Sequence, residues 1–353
     1  MKKIRLLVVI SLMVMLLLAA TSFAAKSDKI VVGSSIQPLL NPWVVSNVEF
    51  QKHVANALGI ELVFADTQNK EEKQIQDIER LCARNVNGIL ITAQTQAVGP
   101  RIVKICEKYK IPLANYDRYV DVDIKMSKII TSQILGDEEI AGYYCMKSLL
   151  EAGSRKIVLI NLTKGTSSAE SRYLGMKRAL AEYPDAKLIG EQWIQITREE
   201  AVSVMENYLA KFSPGEIDGV YTTASVIGMG AMEAVKKANR LSQIKIATHD
   251  IMPDVVQAIQ KGELLYAIGG TEYTGGFALI QLYDKLKGKS VDKEQIIFNQ
   301  IGVSTKNVDN WIKYWINQPP FSAEEIRQLS KAYNPKANLK GTLESLTIIP
   351  KMK

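Results

Sequence analysis

Two carboxylates, Asp117 and Asp250, two arginines, Arg118 and Arg172, and one indole, Trp43, stand just beyond short β-branched runs of the chain. Their types combine into one chemistry. A carboxylate accepts hydrogen bonds from two neighbouring hydroxyls, and a guanidinium donates a fork to ring and hydroxyl oxygens. An indole face covers the apolar C–H side of a saturated ring. Carboxylates and arginines placed together keep one another charged and satisfied when water is withdrawn. The set suits a neutral, polyhydroxylated ligand. Asn41 and Ser225 join it as further candidates.

Each residue also has a plainer reading. Asn41-Pro42 makes a good helix start, with Asn at the cap and Pro at the first turn. Asp66 to Asn69 can cap the following helix. Asp117 and Arg118 can be an exposed turn pair of little worth, and Trp43 can be packing. The combination is more specific than its members.

Catalytic arrangements fit less well. There are two histidines, His53 and His249. His53 falls inside a helix, and His249 adjoins Asp250, whose carboxylate it could orient. No HExxH or GxSxG pattern is present, and no cysteine has a catalytic partner nearby. Gly288-Lys289-Ser290 has Tyr283 where a phosphate loop needs glycine, and Gly228-Met229-Gly230 has Glu233 in place of a third glycine. Asp117 and Asp250 could serve glycoside hydrolysis. The arginines beside them argue against a raised general acid, because a nearby cation lowers a carboxylate pKa.

The elements that must position these groups alternate. Strands are expected at Ile30–Gly33, Glu61–Ala65, Gly88–Thr92, Ile111–Asn115, Lys156–Asn161, Gly219–Thr222, Ile244–Thr248 and Leu264–Ile268. Helices are expected between them, among others at Pro42–Leu58, Glu71–Arg84, Val98–Lys108, Ile140–Glu151, Ser168–Glu182 and Glu199–Lys211. Continuous apolar strands separated by helices make a parallel sheet covered on both faces. The fold class expected is α/β, with two doubly wound parallel-sheet lobes in sequence. Met126–Ser132 is the expected crossing between them. A closed eight-unit barrel is the rival, but Val120–Gln133 breaks the rhythm such a barrel needs. In open sheets of this kind ligands bind beyond the carboxyl ends of the strands, which is where the candidate residues fall.

At 353 residues, 47% hydrophobic and 23% charged, the chain can bury a sizeable core and is not disordered. The start reads as a secretory signal: Lys2, Lys3 and Arg5, an apolar run from Leu6 to Ala20, and small residues before a cut after Ala24. No cysteine near the cut invites a lipid anchor, so a soluble, exported, periplasmic chain is expected. Without the three basic residues of residues 1–24 the formal charge falls from +7 to +4. No basic run is interleaved with aromatics, so nucleic acid is not an expected partner. Cys82, Cys106 and Cys145 show no metal-binding spacing. An oxidising compartment permits a Cys82–Cys106 bridge, but helical spacing places both on buried faces, where free cysteine packs as a small hydrophobe.

With these residues in view the chain resembles the type I periplasmic binding proteins of the ribose-binding-like group, from about Ile30 to Lys289. The carriers are Asn41-Pro42-Trp43, Ala65-Asp66-Thr67-Gln68-Asn69, Val86-Asn87-Gly88-Ile89-Leu90-Ile91, Ile111-Pro112 with Asp117-Arg118, Arg172-x-x-Gly175-Met176, and His249-Asp250 with Pro253-Asp254. The resemblance implies two lobes joined by three hinge crossings. It divides the chain into residues 27–130 plus 272–298 and residues 131–271 plus 299–353. A small solute, a monosaccharide first, is clamped between the lobes by Asn41, Trp43, Asp117 and Arg118 from one and Arg172 and Asp250 from the other. It implies no cofactor, no metal and no catalysis, and a monomer that delivers its solute to an ABC transporter permease. The alternative is a ligand sensor docking a membrane sensor kinase or chemoreceptor, for which the tail from Gln300 would be a surface. An exported carbohydrate enzyme is the third reading. The chain departs from the family pattern in its second half: Ala224-Ser225 stand where Asn-Asp is usual, Gly270 where Gln is usual, and Ile196 where an aromatic is usual, with Trp193, three residues earlier, as the candidate that the resemblance offers for that aromatic.

Overall fold

The computed structural model describes residues 29–291, 293–313 and 321–345. The expected signal segment, residues 1–24, lies outside them. Among the described residues, twelve strands form two six-stranded open sheets, which rules out the barrel. The first runs β11-β5-β4-β3-β1-β2 and the second β12-β10-β9-β8-β6-β7. In the first, β1 is Ile30–Ile36, β2 Ile60–Asp66, β3 Gly88–Ile91, β4 Leu113–Asp117, β5 Ile130–Gly136 and β11 Gln295–Phe298. In the second, β6 is Lys156–Asn161, β7 Lys187–Trp193, β8 Gly219–Thr222, β9 Lys245–His249, β10 Tyr266–Gly269 and β12 Ile301–Val303. The order reverses direction beside β1 in one sheet and beside β6 in the other, the switch point where α/β sheets bind ligands. Interior strands such as GILI (β3) and LANYD (β4) are buried at every position, because helices cover both faces.

Helix boundaries follow from local chemistry. Helix α1, Pro42–Leu58, starts where Asn41 Oδ1 accepts from the Trp43 amide at 3.0 Å and Pro42 sets the first turn. It ends at Gly59, which takes the left-handed conformation. After α2 (Glu71–Ala83) and α3 (Val98–Tyr109) comes α4, Glu138–Glu151, capped by Asp137. Helix α5 spans Ser167–Ala181. A Cβ on Gly175 would lie 1.8 Å from the Glu139 carbonyl oxygen, and one on Gly142 would lie 2.1 Å from that of Arg172. Only glycine lets α4 and α5 meet backbone to backbone there.

Two parts of the expected division differ. Strand β5 holds residues 131–136 in the first sheet, paired with β4 and β11, so the chain leaves that sheet at residue 137 rather than 130. Of the tail, β12 pairs antiparallel with β10 in the second sheet. The later segment returns to the first lobe: α11, Ala323–Leu329, packs on α1, and α12, Leu339–Ser345, packs on β11. Phe321 sits against Phe50 and Phe277, and buried Asp284 accepts from Ser330 Oγ at 2.5 Å and the Lys331 amide at 2.8 Å. Apolar packing and a satisfied carboxylate thus draw residues 321–345 back.

Cys82 and Cys106 are free thiols in one core cluster beneath the first sheet, and Cys145 is a buried free thiol on α4. The core reading holds for Cys82 and Cys106, and no bridge joins them. Among the described residues no helix is long and apolar enough to cross a membrane.

Candidate ligand-binding site

A narrow cleft, with a cavity volume of about 30 Å³, lies between the carboxyl ends of the two sheets. Asn41, Trp43, Asp117 and Arg118 line it from the first sheet, and Arg172 and Asp250 from the second.

The elements place each group. Trp43, in the first turn of α1, is 6% exposed and donates from Nε1 to Thr271 Oγ1 at 3.0 Å. Asn41 spends its side-chain oxygen on the helix cap, which leaves the amide NH₂ for other partners. Asp117 closes β4 and accepts from Thr92 Oγ1 at 3.5 Å. Arg118 Nε stands 3.9 Å from the Asp117 carboxylate. Its Nη1 donates to the Gln94 carbonyl at 2.7 Å. With its amide oxygen turned inward, Gln37 accepts from Arg118 Nη1 at 2.9 Å and Nη2 at 2.8 Å.

Across the cleft, Arg172 donates from Nε to Glu138 Oε2 and from Nη1 to the Thr223 carbonyl, both at 2.5 Å. Asp250 follows β9 and accepts from the Ser225 amide at 3.4 Å. That amide opens α7, Ser225–Lys237, so the carboxylate lies at the positive end of a helix.

Electrostatics are dominated by burial. Withdrawal from water pushes Asp117 up to about 7, although Arg118 pulls the other way. Asp250 rises to about 6 for the same reason against Arg172. The expected lowering of these carboxylates by the arginines is therefore overturned: desolvation outweighs the charge pair. Glu272, buried beside the Gly270 amide, rises to about 8. Glu138 and Asp250 hold the Arg172 guanidinium firmly charged against its own burial.

Two expected residues fall elsewhere. Trp193 ends β7, an outer strand, with its ring 5.5 Å from that of Tyr173 and its Nε1 bonded to Glu191. It does not line the cleft; Ile196 does. Ser225 contributes its amide to Asp250, while its buried hydroxyl has no partner and Ala224 forms the wall. His249 meets Tyr221 OH at 2.8 Å rather than Asp250, and burial pushes its pKa down. The lining adds Gln37, Leu162 and Ser168. Ser168 lies in the Thr163–Ser168 stretch after β6, so its strand-end place could be read in advance. Gln37 and Leu162 had no distinguishing pattern.

Fold and cleft together define a two-lobed solute receptor. The chain belongs to the periplasmic binding protein family: the family described as "Periplasmic binding protein domain" matches residues 32–290. Among its relatives, the ribose import binding protein of Haemophilus influenzae is 29% identical over 79% of this chain and 92% of that protein. The xylitol-binding protein of Mycolicibacterium smegmatis is 26% identical over 84% and 83%. The periplasmic binding protein component of the arabinose ABC transporter from Shewanella sp. ANA-3, solved with L-arabinofuranose, superposes with a TM-score of 0.74 at 25% identity. It covers 87% of this chain and 99% of that one.

Proposed function

We propose that this protein captures a monosaccharide or related polyol in the periplasm and hands it to the permease of an ABC importer. One observation carries the reading: buried hydrogen-bonding groups from both sheets converge on one small cleft, with an indole on one wall. Asp117 and Asp250 would accept from ring hydroxyls, Arg118 and Arg172 would donate to ring oxygens, and Asn41 would offer its amide. Trp43 would cover a C–H face, opposed by aliphatic Leu162 and Ile196. A ligand touching both walls favours the closed state, because it gains the second set of contacts only on closure.

Each sheet with its helices is one lobe in this reading, and the lobes rotate about crossings near residues 137, 270 and 299. The chain is a carrier without catalysis, as the names of its relatives describe binding proteins. Residues 1–24 export it. The test is a thermal-shift screen of residues 25–353 with pentoses, hexoses, polyols and cyclitols. A ligand bound only by the folded state stabilises by about 2.7 kcal/mol at a hundredfold excess over its Kd. A melting shift specific to one sugar class supports the reading; a folded sample that responds to none contradicts it.

A further inference from the structure

Glu138 opens α4 immediately after the chain leaves the first sheet, and it is 7% exposed. One carboxylate oxygen, Oε2, grips Nε of Arg172, itself 4% exposed. The glycine contact between α4 and α5 sets these two helices close enough for that pair. The other oxygen, Oε1, is buried without a partner. So is Nε2 of Gln300, in the crossing from β11 to β12. An orphaned acceptor and an orphaned donor are both costly when buried.

They face the same point. A Cβ on Gly136 would stand 2.7 Å from Glu138 Oε1, 2.7 Å from Gln300 Nε2 and 2.6 Å from Thr271 Cγ2. Gly136, Thr271 and Gln300 come from the three crossings, so all three converge on one spot that only glycine leaves open. Thr271 in turn receives the Trp43 indole N–H.

We infer that Glu138 is a positioning residue that couples the hinge to the cleft. Oε2 fixes the Arg172 guanidinium for the ligand, and Oε1 pairs with Gln300 Nε2 when the crossings shift. The position of Arg172 thereby depends on hinge angle, and a ligand that fixes Arg172 biases the hinge. This rests on the proposed reading in one respect, that Arg172 contacts the solute.

The test has a ligand-free and a ligand-bound arm. In the free protein labelled with ¹⁵N-arginine, Arg172 Nε–H, assigned by its loss in Arg172→Lys, gives a downfield, slowly exchanging NMR signal. Glu138→Gln shifts it upfield and speeds its exchange, and Glu138→Asp restores part of the change. In titrations with D-ribose, L-arabinose and D-galactose, run at a temperature where both free proteins are fully folded, Glu138→Gln weakens the sugar that wild type binds at least tenfold. Gln300→Leu weakens it less, and the double variant is no worse than Glu138→Gln alone, as coupled residues require. An Arg172 signal indifferent to Glu138→Gln, or additive losses in the double variant, overturns the inference. Wild type binding none of these sugars, and none of the pentoses, hexoses, polyols and cyclitols of the wider screen, defeats the proposed function instead, and the NMR arm still decides whether Glu138 holds Arg172.

Discussion

Asp117 and Asp250 are counterparts in the two lobes. One ends β4 and the other follows β9, and both hold left-handed backbone, with φ of 64° and 63°. Aspartate adopts this region at a cost of about 1–2 kcal/mol. Strain repeated at equivalent strand ends, with both carboxylates lining one cleft, supports the proposal that each lobe holds the ligand at this position.

Removing one of these carboxylates tests that position. Asp117→Ala leaves Arg118 and a ligand hydroxyl unpaired and weakens sugar binding by about 2–4 kcal/mol. Calorimetric titration of the folded variant reads the loss; unchanged affinity counts against the site.

The carboxyls also set a pH dependence. Asp117 and Glu272 titrate near 7 and 8 when folded, and near their ordinary values when unfolded. Between pH 6.5 and 8 the folded protein therefore holds more protons, so its stability falls as pH rises. Buried His249, pushed down, works in the opposite direction, mostly below its ordinary value of 6.5 and fading above it. Scanning fluorimetry of the ligand-free protein should show a melting temperature that declines across this window. Asp117→Asn and Glu272→Gln should flatten the slope. A melting temperature that climbs from pH 6.5 to 8 would refute the assignment.

Trp43 should report the ligand directly. Its ring lines the cleft and its N–H is held by Thr271. Sugar binding should change the tryptophan emission, Trp43→Phe should abolish that change, and Trp43→Ala should cost about 2 kcal/mol of affinity or more. Persistence of the full emission change in Trp43→Phe would place the ligand elsewhere.

The α4–α5 contact makes a stability prediction. In Gly175→Ala the new methyl meets the Glu139 carbonyl and the Tyr143 amide, both backbone atoms that cannot swing aside. The variant should lose at least about 1–3 kcal/mol, read as a lower denaturant midpoint. Wild-type stability would show that the helices part freely.

Much of this was legible in the chain. Apolar runs such as GILI and KIVLIN announce themselves as interior strands, and their ends located Asp117, Arg118 and Asp250. Strand β7 did not, because KLIGEQW is an outer strand exposed along much of its length and lacks the apolar run. Strand β5 was obscured by the polar pair Ser132 and Gln133, both buried; the amide of Gln133 bonds Asn115 and both backbone groups of Val120. Trp193 looked like a site residue by its nearness to the family's aromatic position, and its place on an outer strand depends on pairing that residue types do not encode. The return of the tail needs Phe321 to meet Phe50 and Phe277, contacts too distant in sequence to anticipate.

The central claim is that one cleft between two lobes binds a sugar. Its most direct test is isothermal titration of residues 25–353 with D-ribose, L-arabinose, D-galactose, xylitol and myo-inositol, repeated on Asp117→Ala. The account predicts saturable one-to-one binding of at least one of them, lost or strongly weakened in the variant. No binding by folded protein, or binding indifferent to Asp117, would contradict it.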